Sequence, residues 1–388
     1  MTMKIAIVHN FYSTLTPSGE NEMVLQQCSA LSGAGYEVRL FSRDNDQFLD
    51  SRLGRIRAAW TTATGIGRYP LKEINSFKPS IVLTNNLFPN IGSTWISEVN
   101  APVISIVHNY RNFCANGTFF RDGARCFDCT LKTPLEGIKN SCYKRSSLLT
   151  LPLTVSQFRR LHNQHEFEQY SYFIAISEGS KAILVESGLP SDKTFVVPNF
   201  IEDLSVYPNL EARVEKRRWI AAGRLTEEKG FVNLVNQWPD QYNLDIVGNG
   251  PLYNELNYLI EKRTNIKLLG QMKRDDFLSI LPRYSGAIHP SLWPEFSPLT
   301  VIEFLSSGLP LVSLNSNTSS NLMTKEKIGL TMIQFSPRDL SAAFNEIENN
   351  RSLYSRNARN SFESNFTKQV WINNMNHVFD QALKSRTR

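Results

Sequence analysis

Short apolar runs separated by helical stretches recur along the chain, and the alternation breaks near residue 200 and then restarts. In the first half, KIAIVHN reads as a buried strand, Glu20 to Leu31 as a helix and YEVRLFSR as a second strand. PSIVLTNN, APVISIVHNY, YFIAISEGS and FVVPNF follow as further strand ends. After residue 215 come RRWIAAGRLTEEKG, YNLDIVGNGP, NIKLLGQM, YSGAIHPS and LPLVSLN. Near-continuous apolar strands of this kind are buried on both faces, as in parallel sheets covered by helices. The expected fold is therefore α/β, with two facing Rossmann-like parallel-sheet domains and a cleft between them. The first domain is expected over 1–199, a polar, proline-punctuated linker over 200–215 and the second domain over 216–366. A closing helix over 367–388 is expected to pack back on the body through Val370, Trp371, Met375, Val378, Phe379 and Leu383. Functional groups are expected at the carboxyl ends of the strands.

Composition narrows the classes. At 388 residues, 41% hydrophobic and 20% charged, the chain can bury substantial cores without disulfide support. The excess of 42 Lys and Arg over 36 Asp and Glu gives a net charge of +6, too small to require nucleic acid but suited to an anionic substrate or a membrane surface. The longest apolar run, Leu148 to Val155, contains Pro152 and is too short to span a bilayer. No secretory signal opens the sequence, so a cytoplasmic protein is expected.

Two motifs carry chemistry. In HPSLWPEFSPLTVIEFLSSGLPLV, Glu295 and Glu303 bracket the start of an apolar helix. The N–H groups around Ser297, Leu299 and Thr300 there would attract phosphate, while the two carboxylates accept from ligand hydroxyls. The alternative is a helix-start acid plus a solvated helical glutamate. In AAGRLTEEKG, Arg224 ends a strand and Lys229 follows five residues later. A diphosphate between these cations would be neutralised without a divalent metal. The alternative is surface pairing with Glu227 and Glu228.

PSGEN, IVHNY, VVPNF, GRLTEEKG, IVGNGPL and PEFSPLTVIE stand in the order found in glycosyltransferase family 4, the retaining enzymes with GT-B architecture, which this chain resembles over nearly its whole length. The resemblance implies transfer from a nucleotide-diphosphate sugar to a glycan or polyprenyl-linked acceptor of a bacterial surface polysaccharide such as O-antigen, capsule or exopolysaccharide. It implies that Arg224 and Lys229 hold the diphosphate, Glu303 the ribose and Glu295 with the amides of Phe296, Ser297, Leu299 and Thr300 the sugar. Leu269 and Gly270 would lie near the base and Gly19 in the first phosphate loop, and His108 would position the transferred sugar. No metal is required for this chemistry. The sequence departs from the family at Phe296, Ser297 and Pro298, where a glycine-rich turn is usual, and at Ser18, where a second glycine is usual. A nucleotide-sugar epimerase of similar fold and a non-catalytic sugar-nucleotide-binding assembly subunit are the rival readings.

Four of the five cysteines, Cys114, Cys126, Cys129 and Cys142, fall in one loop-rich insertion over 111–145. A structural zinc and free or buried thiols are both open readings, with disulfides disfavoured in a reducing compartment. A related subset of the family carries a similar segment. Ser51–Lys72 and Gly137–His165 contain basic residues and no acids. In the first of these, Leu49, Leu53, Ile56 and Trp60 follow helical spacing. An ordinary packed helix and a helix resting on an anionic membrane, peripheral on its inner face, both fit.

Overall fold

The computed structural model describes residues 2–13, 18–162, 165–203 and 215–385. Two six-stranded sheets, parallel throughout, organise two compact units. The first unit comprises Met1–Phe119, Cys126–Val197 and Ile372–Arg388, and the second comprises Phe120–Arg125 and Pro198–Trp371. Most of the linker expected over 200–215 lies outside the described residues.

The first sheet contains β1 (Lys4–Phe11), β2 (Glu37–Asp44), β3 (Ile81–Thr84) and β4 (Val103–Val107). A small hairpin, β5 (Phe120–Arg121) and β6 (Ala124–Arg125), interrupts the chain before β7 (Tyr172–Ala175) and β8 (Thr194–Val196) complete the sheet in the order β2-β1-β3-β4-β7-β8. Ile5 to Val8 of β1 are wholly buried, as a central strand requires, whereas the edge strand β2 is mostly half-exposed. The helix Gly19–Gly33 begins where Ser18 accepts from the Asn21 N–H at 3.4 Å.

The second sheet is formed by β9 (Arg218–Ala222), β10 (Asn243–Val247), β11 (Ile266–Gly270), β12 (Gly286–His289), β13 (Leu311–Leu314) and β14 (Gly329–Met332), in the order β11-β10-β9-β12-β13-β14. This is the doubly wound order, whose winding reverses between β9 and β12. One core, around Trp219, Trp238 and Phe344, covers one face, and a second, around Phe277, Phe304 and Phe362, covers the other. The closing helix, Lys368–Ser385, buries Trp371, Met375, Val378 and Phe379 and leaves Val370 and Leu383 half-buried. Within the first unit, Tyr36 donates to Asn376 at 2.6 Å.

Two helices of the first unit face the wrong way for a soluble core. Arg52–Thr64 exposes Leu53, Ile56 and Trp60 and buries only Ala58 and Thr61, so its apolar row is not packed on the sheet. Ser147–His162, packed against it, buries Leu153 with Thr150, Thr154, Ser156 and Gln157 and turns Leu148, Leu149, Leu151, Val155 and Leu161 to solvent. No helix among the described residues is long and apolar enough to cross a membrane.

Candidate functional site

The reversal of winding in the second sheet separates the ends of β9 and β12, and the loops leaving them carry Arg224 to Lys229 and Pro290 to Glu295. The two loops are tied together. Glu228 carbonyl accepts from Leu292 N–H at 2.9 Å, and a Cβ at Gly230, which has φ +73°, would collide with the Pro290 carbonyl oxygen. Only glycine permits that approach. Lys229 thereby reaches Glu295, its Nζ donating to Oε2 at 2.6 Å.

Glu295 is buried. Burial works to raise its carboxyl, but the Lys229 ammonium, His289 and hydrogen bonds from Lys229 and Ser291 outweigh it and hold the group at about 2. His289 Nε2 lies 3.5 Å from Glu295 Oε1, yet burial depresses this imidazole to about 4, so at neutral pH the contact is not an ion pair. The Thr318 hydroxyl donates to the Glu295 carbonyl. The result is a fixed, ionised carboxylate whose Oε1 has no hydrogen-bond partner among the described residues.

Arg224, five residues ahead of Lys229 in the same loop, is exposed, and its guanidinium makes no hydrogen bond or ion pair among the described residues. Surface pairing with Glu227 and Glu228 is therefore not what the fold uses: Glu228 accepts from Thr226 at 2.7 Å, and Lys229 is engaged by Glu295. The helix Leu299–Ser306 begins after Pro298, leaving Ser297, Leu299 and Thr300 half-buried at its head. Pro298 itself has no N–H to offer a ligand. The Phe296 ring is buried.

Glu303 is buried on that helix and not solvated, and Arg274 Nε donates to its Oε1 at 3.0 Å. Burial raises its carboxyl, with Arg274 opposing. At the end of β11, Leu269 is 39% exposed, and the space beside Gly270 is open. A flat apolar ligand has access there. Sequence reasoning missed Arg274, Thr318 and Asn317, whose buried amide nitrogen has no partner among the described residues. Asn317 and Thr318 stand out in the sequence only as an Asn-Thr-Ser sequon, which says nothing of this site, and Arg274 carries no local pattern.

In the first unit the winding reverses between β1 and β3. His108 follows β4 and places Nε2 2.6 Å from Asn85 Oδ1, while burial, with a smaller effect of His9, depresses it to about 3. Its imidazole is neutral at pH 7. The contact with Oδ1 puts the proton on Nε2 and leaves Nδ1 an acceptor. His9, depressed by burial to about 4, contacts Asn21 at 3.1 Å and accepts from Asn86 N–H at 3.4 Å. Gly19 is exposed at the head of its helix. His108, Glu20, Asn85, Asn109 and Arg111 line one cavity of about 120 Å³.

Burial and the neighbouring Cys114, Cys142 and Cys126 push the Cys129 thiol up to about 12, so the four thiols of the insertion lie near one another. Among the described residues no three or more His, Cys, Asp or Glu side chains are arranged to hold a metal ion. Zinc at these four positions stays a proposal, and the metal content of the purified protein decides it.

Residues 208–368 match the family described as glycosyl transferases group 1. Over 130 residues the chain is 32% identical to the Escherichia coli UDP-Gal:alpha-D-GlcNAc-diphosphoundecaprenol alpha-1,3-galactosyltransferase, covering 31% of this chain and 32% of that protein. The alignment thus spans about a third of this relative. Among solved structures, the lipopolysaccharide outer core galactosyltransferase WaaB aligns with a TM-score of 0.62 at 14% identity over 97% of this chain and 99% of that one. The Anabaena protein HepE, in complex with UDP and glucose, aligns with a TM-score of 0.60 at 14% identity over 97% and 99%. At these identities the structural likeness establishes the two-domain fold alone.

Proposed function

We propose that this protein is a retaining glycosyltransferase that moves a sugar from a uridine-diphosphate donor to a lipid-linked glycan acceptor during assembly of a bacterial surface polysaccharide. The observation that carries this reading is the buried, ionised Glu295 clamped by Lys229, with the exposed Arg224, unpaired among the described residues, in the same loop as Lys229. A carboxylate held in this way accepts hydrogen bonds from sugar hydroxyls without being protonated. Lys229 has three N–H donors, so it can keep Glu295 and still reach a phosphate. Arg224 adds a planar fork for the same diphosphate. Together they stabilise the charge that grows on the leaving group, the term that dominates such a transfer. The acceptor oxygen attacks the anomeric carbon on the face the diphosphate leaves. The bond to phosphate breaks, and the hydroxyl proton passes to the departing phosphate oxygen, so configuration is kept. His108, through its unprotonated Nδ1, accepts from a hydroxyl of the transferred sugar.

The E. coli relative, named for its use of UDP-galactose, and the UDP bound to HepE favour uridine as the base. Purified protein is expected to melt higher with UDP than with GDP, dTDP, ADP or CMP, equally with and without a chelator, because a ligand specific to the folded state raises its melting temperature. Incubation with UDP-galactose, UDP-glucose or UDP-N-acetylglucosamine and an N-acetylglucosaminyl-diphosphate lipid is expected to give a disaccharide lipid. A free altered sugar nucleotide would favour the epimerase reading, and no UDP response at all would sink the donor site.

The acceptor's lipid suggests where the protein works. The outward leucines of Ser147–His162, with Leu53, Ile56 and Trp60, form an apolar face among Arg52, Arg55, Arg57, Lys144 and Arg145, with no acid in either stretch. Such a face suits an anionic bilayer surface. Cosedimentation with vesicles containing about a third phosphatidylglycerol is expected, weakening with salt. A Trp60→Glu, Leu148→Glu variant is expected to stay in the supernatant with its fold unchanged. Equal pelleting of parent and variant would remove the membrane reading.

A further inference from the structure

One carboxyl at the edge of the first sheet has no role in the fold. An acid in the first turn of a helix usually faces water and favours the helix dipole. Glu20, in the first turn of Gly19–Gly33, instead turns into the cavity that His108, Asn85 and Asn109 line. Its Oε2 accepts from the Tyr12 hydroxyl at 3.3 Å and from Asn109 Nδ2 at 3.4 Å, two long bonds. Its Oε1 is shut off from solvent and has no hydrogen-bond partner among the described residues. A buried acceptor without a donor opposes folding, and a ligand hydroxyl would remove that penalty.

The charged and titratable groups around it are few. Tyr12 comes from the end of β1, Arg111 from the segment after β4 and Tyr143 from the segment ahead of Ser147–His162, while His9 and His108 are neutral. Glu22, on the same helix, points to solvent. The Arg111 guanidinium lies 4.4 Å from the centre of the Phe88 ring and 5.5 Å from that of Tyr143. Burial raises the Glu20 carboxyl to about 7, although Asn109, Arg111 and Tyr12 each pull it down.

We propose that Glu20 is an acceptor-binding residue whose Oε1 accepts a hydrogen bond from a hydroxyl of the acceptor sugar other than the attacking one and so fixes the acceptor's orientation. The proposal rests on the transferase reading and names a contact on its acceptor side. No proton moves to Glu20; it holds a neighbouring hydroxyl of the acceptor sugar, and the attacking hydroxyl gives its own proton to the leaving phosphate. An ionised acceptor binds a hydroxyl more strongly than a neutral one, so acceptor binding weakens as Glu20 protonates.

The test is steady-state transfer to a short-chain N-acetylglucosaminyl-diphosphate lipid, using whichever of the three UDP-sugars named above reacts, between about pH 5.5 and 8.5. For the parent protein the acceptor KM is expected to rise about ten-fold from pH 8 to pH 6, with little change in donor KM. In Glu20→Gln the acceptor KM is expected to be about ten-fold higher at pH 8 and flat with pH. Tyr12→Phe removes a hydrogen bond that favours the carboxylate, so its profile is expected to shift toward higher pH. Glu22→Gln is the control and is expected to follow the parent. The fold is checked separately. A carboxyl raised on folding loses stability as pH climbs from its unfolded value to about 7, so Glu20→Gln is expected to melt above the parent at pH 8 and with it near pH 4.5. A Glu20→Gln protein with the parent's acceptor KM and pH slope, or with donor and acceptor KM raised alike, overturns the assignment of Glu20 while leaving the transferase reading intact. A parent that transfers no sugar overturns both.

Discussion

Lys229→Ala is expected to lose transfer activity by at least a hundred-fold and to melt well below the parent at neutral pH. Lys229 and Glu295 are both largely buried and joined at 2.6 Å. Removing the cation leaves a carboxylate in a site where burial alone drives its titration upward. Breaking a buried pair by deleting one partner costs about 3–5 kcal/mol, and losing one donor to developing charge costs about a hundred- to a thousand-fold in rate. The pH dependence has a definite sign. In the parent, Glu295 is held at about 2, below its ordinary value, so its contribution is present above the unfolded pKa and is lost as pH falls through 2. In Lys229→Ala the carboxyl rises above its unfolded value, so the deficit is greatest near pH 7 and shrinks toward pH 4.5. Calorimetry at pH 7.5 and 5 reads this directly. Adding Glu295→Gln to Lys229→Ala is expected to restore most of the melting temperature and none of the activity. A variant that melts with the parent at both pH values would show that the pair does not stabilise the fold.

Arg224→Ala is expected to separate binding from stability. The side chain is exposed and has no partner among the described residues, so its loss leaves no buried group unsatisfied, and the melting temperature is expected to stay within about a degree or two. A bidentate guanidinium–phosphate contact is worth about 2 kcal/mol, so the UDP dissociation constant is expected to rise about thirty-fold. Titration calorimetry with UDP measures it. Arg224→Lys keeps the charge but not the fork and is expected to recover only part of the loss. Unchanged UDP affinity would remove Arg224 from the donor site.

Most strands were legible because a strand buried on both faces leaves a continuous apolar run: KIAIVHN, VISIV and RWIAA all stand where the pattern puts them. β14 left no such trace. Gly329–Met332 is a short edge strand with only its first residue buried, so its residues need not be uniformly apolar. The apolar row Leu53, Ile56 and Trp60 was legible as a helix face, but its direction was not. Periodicity shows that a face exists, not what it meets.

The site divides in the same way. Local order along the chain placed Arg224 and Lys229 in one loop after β9, and Glu295 and Glu303 around the start of one helix. Their partners came from the fold. Lys229 pairs with Glu295, 66 positions away, and Glu303 with Arg274, 29 away, because every strand of a parallel sheet releases its loop at the same edge. Glu20 looks like an ordinary helix-start acid until the ends of β3 and β4 close a cavity around it. The sequence by itself determined the two-domain α/β class and the residue types at the strand ends, since hydrophobic period and turn chemistry are local. Which charges are buried, which are paired and which oxygen is left without a donor depends on distances between segments far apart in the chain, and only the tertiary structure decided them.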